Sequence, residues 1–126
     1  MPTFFVPCRV TNIINRANSV SLDQLLVDTG SEYTWVPADL LEQIGVDREK
    51  KDLHFVMANG TKFTRSVGFA ILHVEDAFTI DEVVFAEPGD LQLLGARALE
   101  GLNLTVDSSL KKLVAAGPLP AAYAPT

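Results

Sequence analysis

The chain has 126 residues, a formal net charge of −6, and a composition that is 48% hydrophobic and 21% charged. That length fits one compact domain with a real core and leaves no room for a second, so an elaborate site must be small or shared between subunits. The acidic balance, with no basic cluster beyond residues 48–51, lacks the electrostatic footprint of a nucleic-acid-binding surface.

Residues 3–10, rich in β-branched and aromatic side chains, predict a strand, and residues 12–21 supply turn formers around a short apolar pair. Residues 21–27 predict a second strand ending in the apolar run Leu25-Leu26-Val27. It delivers Asp28-Thr29-Gly30-Ser31 into a tight turn. Val36-Pro37-Ala38-Asp39 opens a short helix through Leu40, Leu41 and Ile44, whose spacing shares one face, and Gly45 stops it. Strands follow at residues 53–58 and 61–67, and the Asn59-Gly60 pair between them is a strong hairpin signal. Further strands are expected at residues 69–74 and 79–86, with Glu75-Asp76 in the turn between them. A short strand at residues 91–94, a helix at 96–102, and a terminal strand pair at 104–106 and 110–114 complete the domain. The Pro- and Ala-rich residues 117–126 read as a loosely held tail. The expected organisation is therefore one domain over residues 1–116 and a tail over 117–126. Leu41-Glu42 and Leu99-Glu100 each follow an apolar strand and a glycine turn, an internal echo that suggests two half-motifs about a local two-fold axis.

Cys8 is the only cysteine, so no intrachain disulfide can form and a reducing compartment is compatible. It reads as buried filler rather than a nucleophile. His54 and His73 are the only histidines, too few for an ordinary zinc cluster, and neither a metal nor a cofactor is expected. His73 lies in an apolar strand and reads as a satisfied core or edge histidine. The acidic pairs Glu75-Asp76 and Asp81-Glu82 read as solvated turns rather than a metal site. No apolar stretch reaches membrane-spanning length, and no charged start precedes a sustained apolar run. The expectation is a cytoplasmic protein with no membrane segment in this chain.

The chemistry concentrates at Asp28. Aspartate is depleted from strands and almost never fully buried without partners, so one placed directly after Leu-Leu-Val needs a reason. Its carboxylate could simply bond its own turn, which is common at strand ends. A wider constellation points further: Leu26-Val27-Asp28-Thr29-Gly30-Ser31, then Trp35-Val36-Pro37, the Ala58-Asn59-Gly60 hairpin, and Leu93-Leu94-Gly95-Ala96. In order and spacing these resemble the single-domain retropepsin-like aspartic peptidases, over residues 3–114.

The resemblance implies an all-β fold: a closed β-barrel with a flap hairpin and one or two short helices, acting as a homodimer. It implies Asp28 as the catalytic aspartate, contributed once by each subunit. Thr29 would bond across the dimer axis, Gly30 would permit the turn, and Ser31 would support the outer carboxylate oxygen. Ala58, Asn59, Gly60 and Thr61 would form the tip of the flap, and Leu93, Leu94 and Gly95 would pack beneath the active turn. Trp35, Phe55 and Phe63 are candidates for the substrate pocket, although large aromatics there also suit core or dimer packing, and the facing of the two phenylalanines is open. The arginine often found after Leu-Leu-Gly is replaced by Ala96, with Arg97 adjacent; Arg97 either braces Glu32 or is a solvated surface side chain. The implied activity is endopeptidase cleavage of extended polypeptides by paired aspartates that activate water. One alternative is an inactive member that binds peptides or dimerises, and another is a small-molecule-binding β-barrel.

Overall fold

A computed structural model describes residues 3–122. The strands are β1 (Phe5–Asn12), β2 (Ser19–Val27), β3 (Thr34–Pro37), β4 (Lys50–Val56), β5 (Lys62–Val74), β6 (Ala77–Ala86), β7 (Leu93–Leu94), β8 (Leu104–Asp107) and β9 (Lys112–Ala115). Two helices, α1 (Ala38–Gln43) and α2 (Ala96–Leu102), lie between them. The fold is thus mostly β. One seven-stranded sheet runs in the order β1-β2-β7-β3-β6-β5-β4, and an added β1–β5 pairing bends it into a ring. β4 hangs on β5 outside the ring, while β8 and β9 form a separate ribbon.

Alternation explains the pairing faces. In β2, Leu22, Leu25 and Val27 turn inward, and in β5 the run from Val67 to Val74 buries Ala70, Leu72 and Val74 in the same core. Val10, Leu25, Val36, Leu41, Leu72 and Leu94 are each fully enclosed, and each such side chain contributes about 1.5–3 kcal/mol relative to exposure. The β1–β2 ladder skips between Val6 and Cys8. Pro7 sits at that irregularity, where its missing N–H costs the ladder nothing.

Several elements differ from the sequence expectation. Residues 61–67 and 69–74 are one continuous strand, β5, through Gly68. There, a Cβ would run into the Asp47 carbonyl and crowd Val46 and Phe85, so the glycine serves a close crossing and does not interrupt the strand. β3 was not expected; it is held by parallel pairing to β6 and by the Trp35–Leu93 contact with β7. The strand expected over residues 91–94 is only Leu93–Leu94. Asp81-Glu82 is not a solvated turn but the middle of β6, and Glu82 there meets Lys50 at 3.0 Å. The hairpin around Asn59-Gly60 is present, but only Gly60 takes a positive φ. Gly60 N–H donates to Met57 O and Met57 N–H to Thr61 O, a wider loop than the two-residue turn that Asn-Gly favours.

The internal echo is only partial: Gly95 leads from β7 directly into α2, whereas β3 intervenes between the Gly30 turn after β2 and α1. After α2, Asn103 adopts the left-handed conformation, its Nδ2 donates to Gly117 O, and its carbonyl accepts from Ala116 N–H. That anchor ties down the end of the β8–β9 ribbon. Residues 117–122 carry no regular element, and the remainder of the tail, residues 123–126, lies outside the described residues.

Candidate active site

β2 carries Asp28 to the rim of the ring. The Asp28 N–H donates to Leu94 O at 3.0 Å, which ties the end of β2 to β7. The carboxylate oxygen Oδ1 accepts the Gly30 N–H at 2.9 Å, and the Asp28 carbonyl accepts the Ser31 N–H. The turn therefore orients its own carboxylate. Asp28 is half-buried, while Thr29 and Gly30 are exposed. The Ser31 hydroxyl donates to Tyr33 O at 3.2 Å.

The turn is braced from behind. Leu93 and Leu94 run parallel to Leu26 and Val27, both leucines buried. Ala96 N–H donates to Ser31 O at 2.7 Å and Arg97 N–H to Glu32 O at 3.1 Å. Gly95 N–H donates to the hydroxyl of Thr34, which is fully buried. A Cβ on Gly95 would collide with the carbonyls of Tyr33 and Glu32, so only glycine lets these two segments approach.

Facing the turn is the β4–β5 hairpin. Its register pairs Phe55 with Phe63 and Leu53 with Arg65, so these four share one face. That face looks toward the body: Phe55 lies 5.1 Å from Trp35 and 5.8 Å from Tyr33 between ring centroids, and Phe63 stacks on Phe55 at 5.9 Å. Between hairpin and turn lies a cleft of about 780 Å³, lined by Asp28, Trp35, Met57, Phe63, Arg65 and Asp90 among others. Ala58 and Thr61 also reach it; Asn59 instead caps the hairpin loop, its Oδ1 accepting the Thr61 N–H at 2.9 Å. A second cavity, about 470 Å³, opens beside it on Tyr33, Trp35 and Phe55.

Sequence reasoning missed Arg65 and Asp90. Arg65 Nε and Nη2 donate to the two carboxylate oxygens of Asp90 at 2.7 and 2.8 Å, with side chains only 17% and 16% exposed. The Arg65 hydrogen bonds hold the Asp90 carboxyl below its ordinary value, and the same contact raises the guanidinium. The available signal was a charged side chain in phase with Phe63 on a hairpin strand, but its partner, in the Pro88-Gly89 turn, carries no local mark. Arg97 does not brace Glu32 with its side chain: the guanidinium lies over Tyr33 at 4.9 Å and reaches Glu82 at 3.9 Å.

Other titratable groups lie elsewhere. Cys8 is buried, and desolvation pushes its thiol up to about 12. His73 shares its ring nitrogens with Arg9 and Thr11, and burial, then Arg9 and Arg16, lower its pKa. No group of three or more His, Cys, Asp or Glu side chains that could hold a metal occurs among the described residues. No helix among them is long and apolar enough to cross a membrane.

An aspartate turn thus stands at the rim of a ring-like sheet, facing a hairpin across a cleft. The model of the gag-polyprotein putative aspartyl protease family matches residues 14–101, the span from the β1–β2 loop through most of α2. The chain belongs to this family of retropepsin-like aspartic peptidases. No curated protein matches it significantly.

Proposed function

We propose that the chain is one subunit of a homodimeric aspartic endopeptidase whose closed β-barrel places the Asp28 side chains of two subunits together on a two-fold axis. The observation that carries this reading is the Asp28 carboxylate, oriented by the Gly30 N–H at the rim of the cleft and backed by Leu94 and Gly95. Residues 1–116 form the catalytic unit and residues 117–126 a tail.

Hydrolysis of a peptide bond by water needs one carboxylate to take the water's proton. It needs a second, protonated one to polarise the carbonyl and then protonate the leaving amine. One Asp28 cannot fill both roles, and a two-fold axis supplies the second. Two adjacent carboxylates share one proton, as aspartic-protease dyads generally do, because ionising both is costly. The exposed Thr29 and Gly30 leave the turn free to meet its twin, with Thr29 bonding across the axis and Ser31 steadying the turn through its hydroxyl bond to Tyr33 O. The hairpin, with Ala58, Asn59, Gly60 and Thr61 at its tip, acts as the flap. An extended peptide between flap and turn bonds through its backbone, with alternate side chains entering pockets built by Trp35, Phe55 and Phe63.

Incubation with an unfolded protein or a peptide library, with cleavage read by mass spectrometry at acidic to mildly acidic pH, tests this directly. Wild type cleaves and Asp28→Asn does not; full cleavage by the variant would remove Asp28 from the chemistry.

A further inference from the structure

Apart from Asp28 and the hydroxyl-bearing Ser31 and Thr61 at its edges, the cleft is lined by apolar residues and one ion pair, Arg65 with Asp90. Arg65 enters it because it shares a hairpin face with Phe63, and its guanidinium lies 4.6 Å over the Phe63 ring. Asp90 enters from the opposite wall, on a turn closed by Asp90 N–H to Glu87 O and by Glu87 N–H to Asp90 Oδ2 at 2.8 Å. Gly89, with φ +95°, gives that turn its left-handed step. The pair therefore joins the hairpin to the 87–92 turn across the cleft.

Each charge is paired chiefly with the other. Asp90 accepts two donors from Arg65 and one from the Glu87 amide. Arg65 gives a third N–H, from Nη1, to Thr64 O at 2.8 Å and lies 3.9 Å from Glu87. A bidentate arginine–carboxylate contact of this kind is geometrically specific and strong for its class. A substrate carboxylate entering the cleft would have to displace Asp90, and a substrate ammonium would have to displace Arg65. Either exchange leaves a poorly solvated charge without its partner.

We propose that Arg65 and Asp90 determine the side-chain preference of this cleft: paired, they cancel each other's charge, hold the hairpin to the 87–92 turn, and admit an uncharged side chain of the bound peptide. The proposal rests on the peptidase reading and adds to it the residues that exclude charged side chains. It makes a reciprocal forecast. Removing the anion by Asp90→Asn leaves Arg65 with only the exposed Glu87 at 3.9 Å and favours acidic peptides, whereas Arg65→Met leaves Asp90 uncompensated and favours basic ones.

The test uses the intact protein and a set of peptides of one sequence, with Leu, Gln, Glu or Lys placed at each position in turn. In wild type, kcat/KM is highest for the uncharged members at one position. Relative to Leu at that position, Glu gains at least about tenfold in Asp90→Asn, and Lys gains similarly in Arg65→Met. A ranking unchanged within about twofold in both variants overturns the proposal, since a merely structural brace would lower all peptides together. Should one variant fail to fold, the other still decides by its own predicted direction; should both fail, Arg65→Lys, which keeps the cation but loses the fork, must retain the uncharged preference, and a shift toward Glu or Lys there overturns it. If wild type cleaves no peptide, the peptidase reading is what fails. Fluorescence anisotropy on the same peptides then decides the pocket: the reciprocal charge swap in binding supports the assignment, and its absence overturns it.

Discussion

Replacing Thr34 by valine isolates one hydrogen bond beneath the candidate active turn. Thr34 is fully buried, and its hydroxyl accepts the Gly95 N–H at 3.0 Å. Valine matches threonine in shape, so no cavity opens; what changes is that a buried amide loses its acceptor. An unsatisfied buried group costs about 1–3 kcal/mol. For a domain of this size that lowers the melting temperature by about 3–5 °C per kcal/mol. Thr34→Ser provides the control, since it keeps the oxygen and deletes only a methyl, at about 1 kcal/mol. Urea denaturation at one fixed protein concentration, so that any dimerisation is held constant, measures both. Valine is expected to lower the midpoint more than serine with an unchanged slope. A valine variant as stable as wild type, alongside a destabilised serine variant, would refute the assignment of Thr34 as the anchor of Gly95.

Gly95→Ala is expected to abolish peptide cleavage and sharply reduce folded yield, because the added Cβ meets the Tyr33 carbonyl; circular dichroism and the cleavage assay read both. A disulfide reagent at pH 8 should label Cys8 only as fast as the chain unfolds, since a thiol at about 12 is almost wholly protonated there and is 2% exposed; rapid native labelling would contradict the burial. Burial raises the Asp81 carboxyl, and its Oδ2 has no hydrogen-bond partner among the described residues. Its folded pKa exceeds its unfolded value, so its ionisation erodes stability as pH rises from the ordinary carboxylate range through the folded pKa. Asp81→Asn should therefore gain on wild type in urea midpoint between acidic and neutral pH, and a difference that stays constant with pH would count against this.

The strands with strong apolar or β-branched runs between turn formers were legible from sequence: β2 with its Leu25-Leu26-Val27 end, β6 after the Glu75-Asp76 turn, and the hairpin at Asn59-Gly60. α2 matched residue for residue, because Gly95 and the apolar spacing of Ala98, Leu99 and Leu102 mark both its start and its buried face. What escaped depends on partners distant in the chain. β3 is four residues ending in proline, extended because β6 and β7 flank it. Gly68 looked like a break because glycine is a poor strand former, whereas the constraint is the Asp47 carbonyl crossing above it. The acidic Asp81-Glu82 pair reads as a turn by residue type, yet residues on both sides carry β6 through it, and Lys50 and Arg97 approach Glu82. At the site, the sequence marked Asp28 and its glycine turn by their contrast with the preceding apolar run. It could not reveal that Arg65 meets Asp90, since that pairing exists only once hairpin and turn face each other.

Mixing wild-type chains with Asp28→Asn chains at fixed total concentration, after full exchange of subunits, puts the proposed sharing of the active site to its most direct test. If each functional centre takes one aspartate from each of two copies, activity falls with the square of the wild-type fraction, to roughly one quarter at an equal mixture. A decline in simple proportion, to roughly one half, would mean that each chain works alone, in contradiction to a centre built across the two-fold axis.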